Sequence, residues 1–272
     1  MNSKKHLAKK TPELQKAYLN EVLIKRVAGY KRVIKRILDD IPNSYNKVEH
    51  ITNDSLVDDI RIKLEKHIDS FKKIFNNKML NKAVGSFINN KLISKNKAQF
   101  KQFAKANRSM STYLNKIELS AGISLDDVVD NENLQAFTKN AISQNVELIK
   151  TMDTKIFEDI KTAVYQNIAG GSDKHSLKEA LEHLGAKSVK KAEQIAKDQT
   201  NKINENINNQ RVQALGATHF EWMTTGRNNV RSEHDRFNGK IYSYKDGAGS
   251  RGILPGQDVN CQCTAIPVFK ED

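Results

Sequence analysis

Apolar positions over most of the chain recur at helical spacing. After Thr11-Pro12, an N-cap followed by proline at the first helical position, they fall at Leu14, Tyr18, Val22, Tyr30, Ile34, Ile37 and Ile41. Pro42-Asn43-Ser44 ends that stretch. A second helical stretch is predicted over about 56–80 and a third over about 84–106, both with narrow apolar stripes that suit a thin bundle or packing against partners. A break follows at Leu119-Ser-Ala-Gly122. Ile142, Val146, Ile149, Met152, Ile156, Ile160, Val164 and Ile168 then hold i+3/i+4 spacing until Gly170-Gly171 stops the helix. Ser176-x-x-Glu179 is a capping box that predicts a short helix closing at Gly185. A long helix over about 189–215 is expected next, ended by Gly216.

After Gly216 the period changes. Phe220-Glu-Trp222-Met223, Lys240-Ile-Tyr242-Ser-Tyr244 and Thr264-Ala-Ile-Pro-Val-Phe269 read as short strands, with glycine and proline crowding the loop 246–256. Phe220 and Trp222 sit at strand spacing and are expected in a core. No internal repeat and no sustained heptad interrupts this order. The fold class expected is mainly α: an elongated helical N-terminal region and a long helical arm, with a small C-terminal α+β module. The division expected is 1–118 and 119–272, the latter split into an arm (119–216) and an end (217–272).

Composition adds direction. The 272 residues are 38% hydrophobic and 28% charged, which suits a helix-rich, elongated soluble protein, and no apolar run is long enough for a membrane span. The N-terminus is basic but has no apolar segment behind it, so it does not read as a secretory signal. Two cysteines exclude a disulfide scaffold and point to a reducing compartment. The net charge of +13 is uneven: residues 1–110 carry 25 Lys/Arg against 10 Asp/Glu. Residues 70–117 carry no acid at all, and hold Lys72, Lys73, Lys78, Lys82, Lys91, Lys95, Lys97, Lys101, Lys105, Arg108 and Lys116. Such a run attracts phosphate backbones in a salt-dependent way. It also reads as a solvated lysine-rich face in an asparagine- and lysine-rich chain, and the sequence leaves both readings open.

The candidate chemistry lies in the last forty residues. Both cysteines stand in Asn260-Cys261-Gln262-Cys263, downstream of Arg231-x-x-His234-x-x-Phe237-x-Gly239. Two thiols and an imidazole are the ligand types zinc favours. His219, Asp246 or Asp258, a water or another chain would supply a fourth ligand. The alternative is two reduced thiols and a histidine bonded to a loop carbonyl; a disulfide within Cys-x-Cys is excluded by strain. Glu233 and Asp235 flank His234, but the chain has no His-Glu-x-x-His, no phosphate-cradling glycine loop and no nucleophile elbow, so no catalytic residue is assigned. Arg227 and Arg231 would hold an anion or fix a loop. His175, His183 and His219 read as ordinary surface or packing residues.

The order of these pieces resembles the phage minor head (head morphogenesis) proteins with a Mu F-like domain, over about 135–270. The resemblance runs through the long helix and its Gly170-Gly171 break, Ala192-Glu-Gln-Ile-Ala196-Lys-Asp-Gln-Thr200, Phe220-x-Trp222-x-Thr224-x-x-Arg227, Val230-Arg231-x-x-His234, Phe237-x-Gly239 and Pro255-Gly-Gln-Asp-Val-Asn260-Cys261-x-Cys263. One departure is Gln262, where the family usually has arginine between the cysteines. The resemblance implies a structural, non-enzymatic protein of the virion, assembled in the host cytoplasm, with the portal protein and other head proteins as partners. Contact between the basic N-terminal region and packaged DNA would fit that role, although the resemblance does not reach it. The alternative function is a metal-dependent enzyme acting on nucleic acid. Some relatives carry a toxin domain after the module, and none is expected after Asp272.

Overall fold

The computed structural model describes residues 12–42, 54–122, 124–129, 132–170, 173–226 and 228–269. Thr11, Asn43, Ser44, Gly171 and Arg227 of the sequence reading lie outside the described residues. The elements, in order, are α1 (Pro12–Tyr18), a π-helical turn (Leu19–Leu23), α2 (Ile24–Asp40), α3 (Asp54–Ile74), α4 (Asn77–Ser86), a second π-helical turn (Phe87–Leu92), α5 (Ile93–Ala106), α6 (Arg108–Ala121), α7 (Leu125–Val129), α8 (Glu132–Ala169), α9 (Lys174–Ala214), β1 (His219–Met223), α10 (Ser232–Phe237), β2 (Ile241–Ser243) and β3 (Thr264–Val268). The protein is mainly α with a small α+β C-terminal part, as expected. The chain forms two compact units from discontinuous segments, one of residues 17–85 and 142–196, the other of 1–16, 86–141 and 197–272.

The first unit is helical. Tyr18, Val22, Tyr30, Ile34 and Ile37, spaced to share one helical face, are all buried. Gly29 lets α2 and α3 approach closely: a Cβ there would lie 2.7 Å from the rings of both Phe71 and Phe75. Arg26, 4% exposed, is drawn inside because Asp153 of α8 neutralises it, with Nη2–Oδ2 at 2.7 Å. Its Nη2 also donates to the Phe75 carbonyl, Tyr30 donates to Asp153, and the guanidinium lies 5.5 Å from the Phe75 ring centroid.

Two predicted boundaries move. The stretch expected over 56–80 breaks at residues 75–76, because the Asn76 side chain accepts the Met79 N–H at 3.0 Å and opens α4 as a new helix. The short helix expected to close at Gly185 does not close; α9 runs from Lys174 to Ala214 without interruption. Its start is capped by Asp173, whose side chain accepts the Ser176 N–H at 2.8 Å, so Ser176 is inside the helix and not its cap. Gly185 lies inside α9, buried beside Ile34, where a Cβ would make only an ordinary contact at 3.6 Å.

The second unit carries the sheet, antiparallel in the order β2-β1-β3. Phe220 pairs with Tyr242 on one side and Pro267 on the other, and Trp222 pairs with Ala265. Proline is tolerated there because β3 is an edge strand. Phe220 and Trp222, two apart on β1, reach the same buried cluster, as expected of strand spacing. Phe100, Phe103, Met110 and Leu114 of α5 and α6 join it, together with Phe237, Cys261, Cys263 and Phe269. Behind this cluster α5 and α9 meet through polar side chains. Asn96 donates to Asn204 and Asn208 at 2.8 Å each and accepts from Arg211, which stacks over Phe100.

Candidate metal centre

Local chain geometry brings His234, Cys261 and Cys263 together. The helix α10, unforeseen from sequence, turns once and presents His234 and Phe237, three apart, to the interior while Glu233 and Arg236 face outward. Phe237 packs edge-on to Trp222 at 5.0 Å, and Trp222 packs edge-on to His234 at 5.1 Å. Gly239, at φ +75, then reverses the chain toward β2. On the other side, Asn260 adopts a left-handed φ of 58 and its N–H bonds to Asp198 of α9. The two residues of Cys-x-Cys beyond it are both 4% exposed, and each reaches the same imidazole nitrogen.

The distances have a direct coordination meaning. His234 Nδ1 lies 3.6 Å from Cys261 Sγ and 3.7 Å from Cys263 Sγ. A tetrahedral zinc with bonds of about 2.3 Å to sulfur and about 2.0–2.1 Å to nitrogen holds S and N about 3.5–3.6 Å apart. All three donor atoms lie within 4.8 Å of one another, and among the described residues this is the His/Cys/Asp/Glu group so arranged. His219 and Asp246, considered as fourth ligands, are not in it. Asp258, also considered, takes another part: its Oδ2 lies 3.0 Å from His234 Nε2. With Nε2 protonated and held by a carboxylate, Nδ1 keeps its lone pair toward the sulfurs, an outer-sphere arrangement common at metal-bound histidine.

The thiols are electronically unequal. Hydrogen bonding from the Cys263 thiol outweighs burial, and with the N–H groups of Cys263 and Gly256 and the nearby His234 it pulls Cys261 down to about 6. The same bond, burial and the charge on Cys261 push Cys263 up. Arg251 bridges Asp258 and Glu233, with Nη2 2.6 Å from Glu233 and 3.1 Å from Asp258, and holds the Asp258 carboxyl below its ordinary range. Arg231 donates to the Val259 carbonyl at 2.8 Å, which fixes the same loop.

Sequence reasoning missed Glu205. This α9 residue is 8% exposed, accepts from Thr264 at 3.4 Å, and is pushed up to about 8, by burial first and by the neighbouring Cys261 charge. Its second carboxylate oxygen is buried with no hydrogen-bond partner. Nothing in the sequence signals it: on α9 it falls opposite the apolar stripe of Ile203 and Ile207. Gly256, φ +84, lies so close that a Cβ would sit 2.8 Å from the Glu205 Cβ. A cavity of about 40 Å³ opens beside the three donors, lined also by Arg231, Asn260 and Gln262. It has room for a water as a fourth ligand.

The basic residues fall in both units. Lys72 and Lys73 end α3 and Lys78 and Lys82 lie on α4, in the first unit; Lys91, Lys95, Lys97, Lys101, Lys105 and Arg108 lie in the second. A run free of acids in sequence gains them in space: Lys72 meets Asp69 at 3.4 Å, Lys95 meets Glu13 at 3.0 Å and Lys101 pairs with Asp126. Lys73, Lys78, Lys82, Lys105 and Arg108 are exposed.

Among the described residues no helix is long and apolar enough to cross a membrane. No solved structure matches the chain. An uncharacterized protein of Haemophilus influenzae is 30% identical over 125 residues, covering 46% of this chain and 28% of that protein, so the chain spans under a third of this relative's length. The His234, Cys261 and Cys263 cluster and the helix leading to it fall inside the stretch that carries the family likeness: residues 158–266 match the family described as phage Mu protein F like protein.

Proposed function

We propose that this chain is a phage minor head protein, a capsid component of the virion that acts in head morphogenesis at the portal vertex. In this reading residues 119–272 form the Mu F-like domain, with arm 119–216 and end 217–272, and zinc bound by His234, Cys261 and Cys263 ties α10 to the segment before β3. The observation that carries the metal part is the 3.6 and 3.7 Å separation of the His234 nitrogen from the two sulfurs. The family match supports the head part. A bound zinc would supply cross-linking of chain segments, and the burial of all three donors, among core aromatic side chains, supports that role. The partners proposed are the portal protein and other head proteins, met in the host cytoplasm during assembly.

We further propose that exposed residues of the basic set, among them Lys73, Lys78, Lys82, Lys105 and Arg108, contact packaged DNA. Duplex binding should then weaken steeply between low and moderate salt; an affinity indifferent to salt removes the idea. The head reading is tested by quantitative mass spectrometry of purified heads. A few copies per particle beside the portal protein is the expected result. Complete absence from particles overturns it.

A further inference from the structure

The first unit holds a groove between α8 and the first half of α9, of about 470 Å³. Met152 and Ile156, one turn apart on α8, and Leu184 of α9 give it an apolar floor. Lys155, Lys187, Lys190 and Lys191 stand around it, and Asp159 is the one acid in its wall. Asp159 is already engaged, at 3.1 Å by Lys155 and 3.8 Å by Lys187. Lys190 and Lys191 are exposed and raise the wall's balance well above neutral. A second groove, between α2 and α9, sets two acids, Asp39 and Glu182, against Lys31, Lys35, Lys174 and Lys178, with Lys178 4.0 Å from Glu182 and Lys174 bonded to the Ile41 carbonyl. The α8–α9 groove has one acid for four lysines.

An apolar floor gains nothing from a phosphate backbone, and a lysine rim gains nothing from a neutral apolar segment. A helix with leucine-like side chains on one face and carboxylates on its flanks satisfies both. We propose that the α8–α9 groove docks an acidic amphipathic helix of a partner protein. The inference rests on the groove alone and is independent of the head assignment and of any metal.

The probe is a fluorescein-labelled helical peptide with leucines on one face and glutamates on the flanks, titrated into the full chain by anisotropy. Saturable binding is expected, weakened about tenfold or more by the combined Lys190→Glu and Lys191→Glu changes. It should also be weakened when the peptide's leucines are replaced by serine. Both lysines are exposed, and circular dichroism verifies that the variant keeps its helices. Absence of binding overturns the proposal, as does equal binding by the charge-reversed chain. Loss of sensitivity to the leucines, or displacement of the peptide by duplex DNA as readily as by unlabelled peptide, makes the groove an electrostatic or nucleic-acid surface and overturns it equally.

Discussion

Asp258 tests whether His234 is arranged as a metal ligand or merely as a packed histidine. Its carboxylate meets His234 Nε2 at 3.0 Å and is held from behind by Arg251 at 3.1 Å. The carboxylate fixes the ring so that Nδ1 faces the two sulfurs and makes that nitrogen a better donor. Removing such an outer partner costs roughly 10–100-fold in metal affinity, or about 1.4–2.7 kcal/mol. Asp258→Ala should therefore weaken zinc binding by that factor, while Asp258→Asn, which keeps an acceptor but no charge, should lose nearer tenfold. Zinc affinity is read by competition with a chromophoric chelator at neutral pH. The metal-free chain gives the control: losing Asp258 leaves the 2%-exposed His234 without its Nε2 partner and should lower metal-free stability by about 1–3 kcal/mol, to be measured separately from the loss of zinc affinity. An affinity within about twofold of the parent would refute the reasoning, because then the imidazole is not a ligand oriented by Asp258.

Metal binding must displace thiol protons, so apparent zinc affinity should rise with pH. Cys261 is pulled down to about 6 and Cys263 is pushed up, so about one proton leaves per ion above pH 6 and at least two below it; an affinity flat from about pH 5 to 8 contradicts this. Gly29→Ala drives a Cβ to 2.7 Å from two phenyl rings and should cost ~1–3 kcal/mol, seen as a melting temperature lower by several degrees. Asp153→Ala leaves Arg26 buried and uncompensated, at a cost of about 3–5 kcal/mol, whereas Arg26→Met combined with Asp153→Leu should recover much of it. Equal stability of the single and double variants by denaturant titration would defeat that account.

The repeating signals were legible in the sequence. Helical spacing gave the buried face of α2 and the long run of α8, and the strand spacing of Phe220 and Trp222 gave β1 and its core contacts. Single residues whose role depends on a distant partner were not legible. Gly185 reads as a helix end by local propensity, but it lies buried inside the continuous helix α9 beside Ile34. Asn76 reads as one polar residue in a helical window, and its cap on Met79 divides two helices. Asparagine abundance reads as solvated composition, yet Asn96, Asn204 and Asn208 are buried and hydrogen-bonded to each other. The proximity of His234, Cys261 and Cys263 was legible because residue type and spacing suggested one cluster. Asp258 was visible only as a competing ligand, and Glu205 not at all, since burial and second-sphere geometry arise from tertiary contacts.

The account stands most directly on the claim that three side chains close the C-terminal sheet around one ion. Elemental analysis of the purified chain, joined to zinc X-ray absorption, measures it. One zinc per chain, bound by two sulfurs and at least one nitrogen and lost in Cys261→Ser, is the result the account predicts. A chain that is metal-free at full stability, or that binds zinc through oxygen ligands alone, would contradict it.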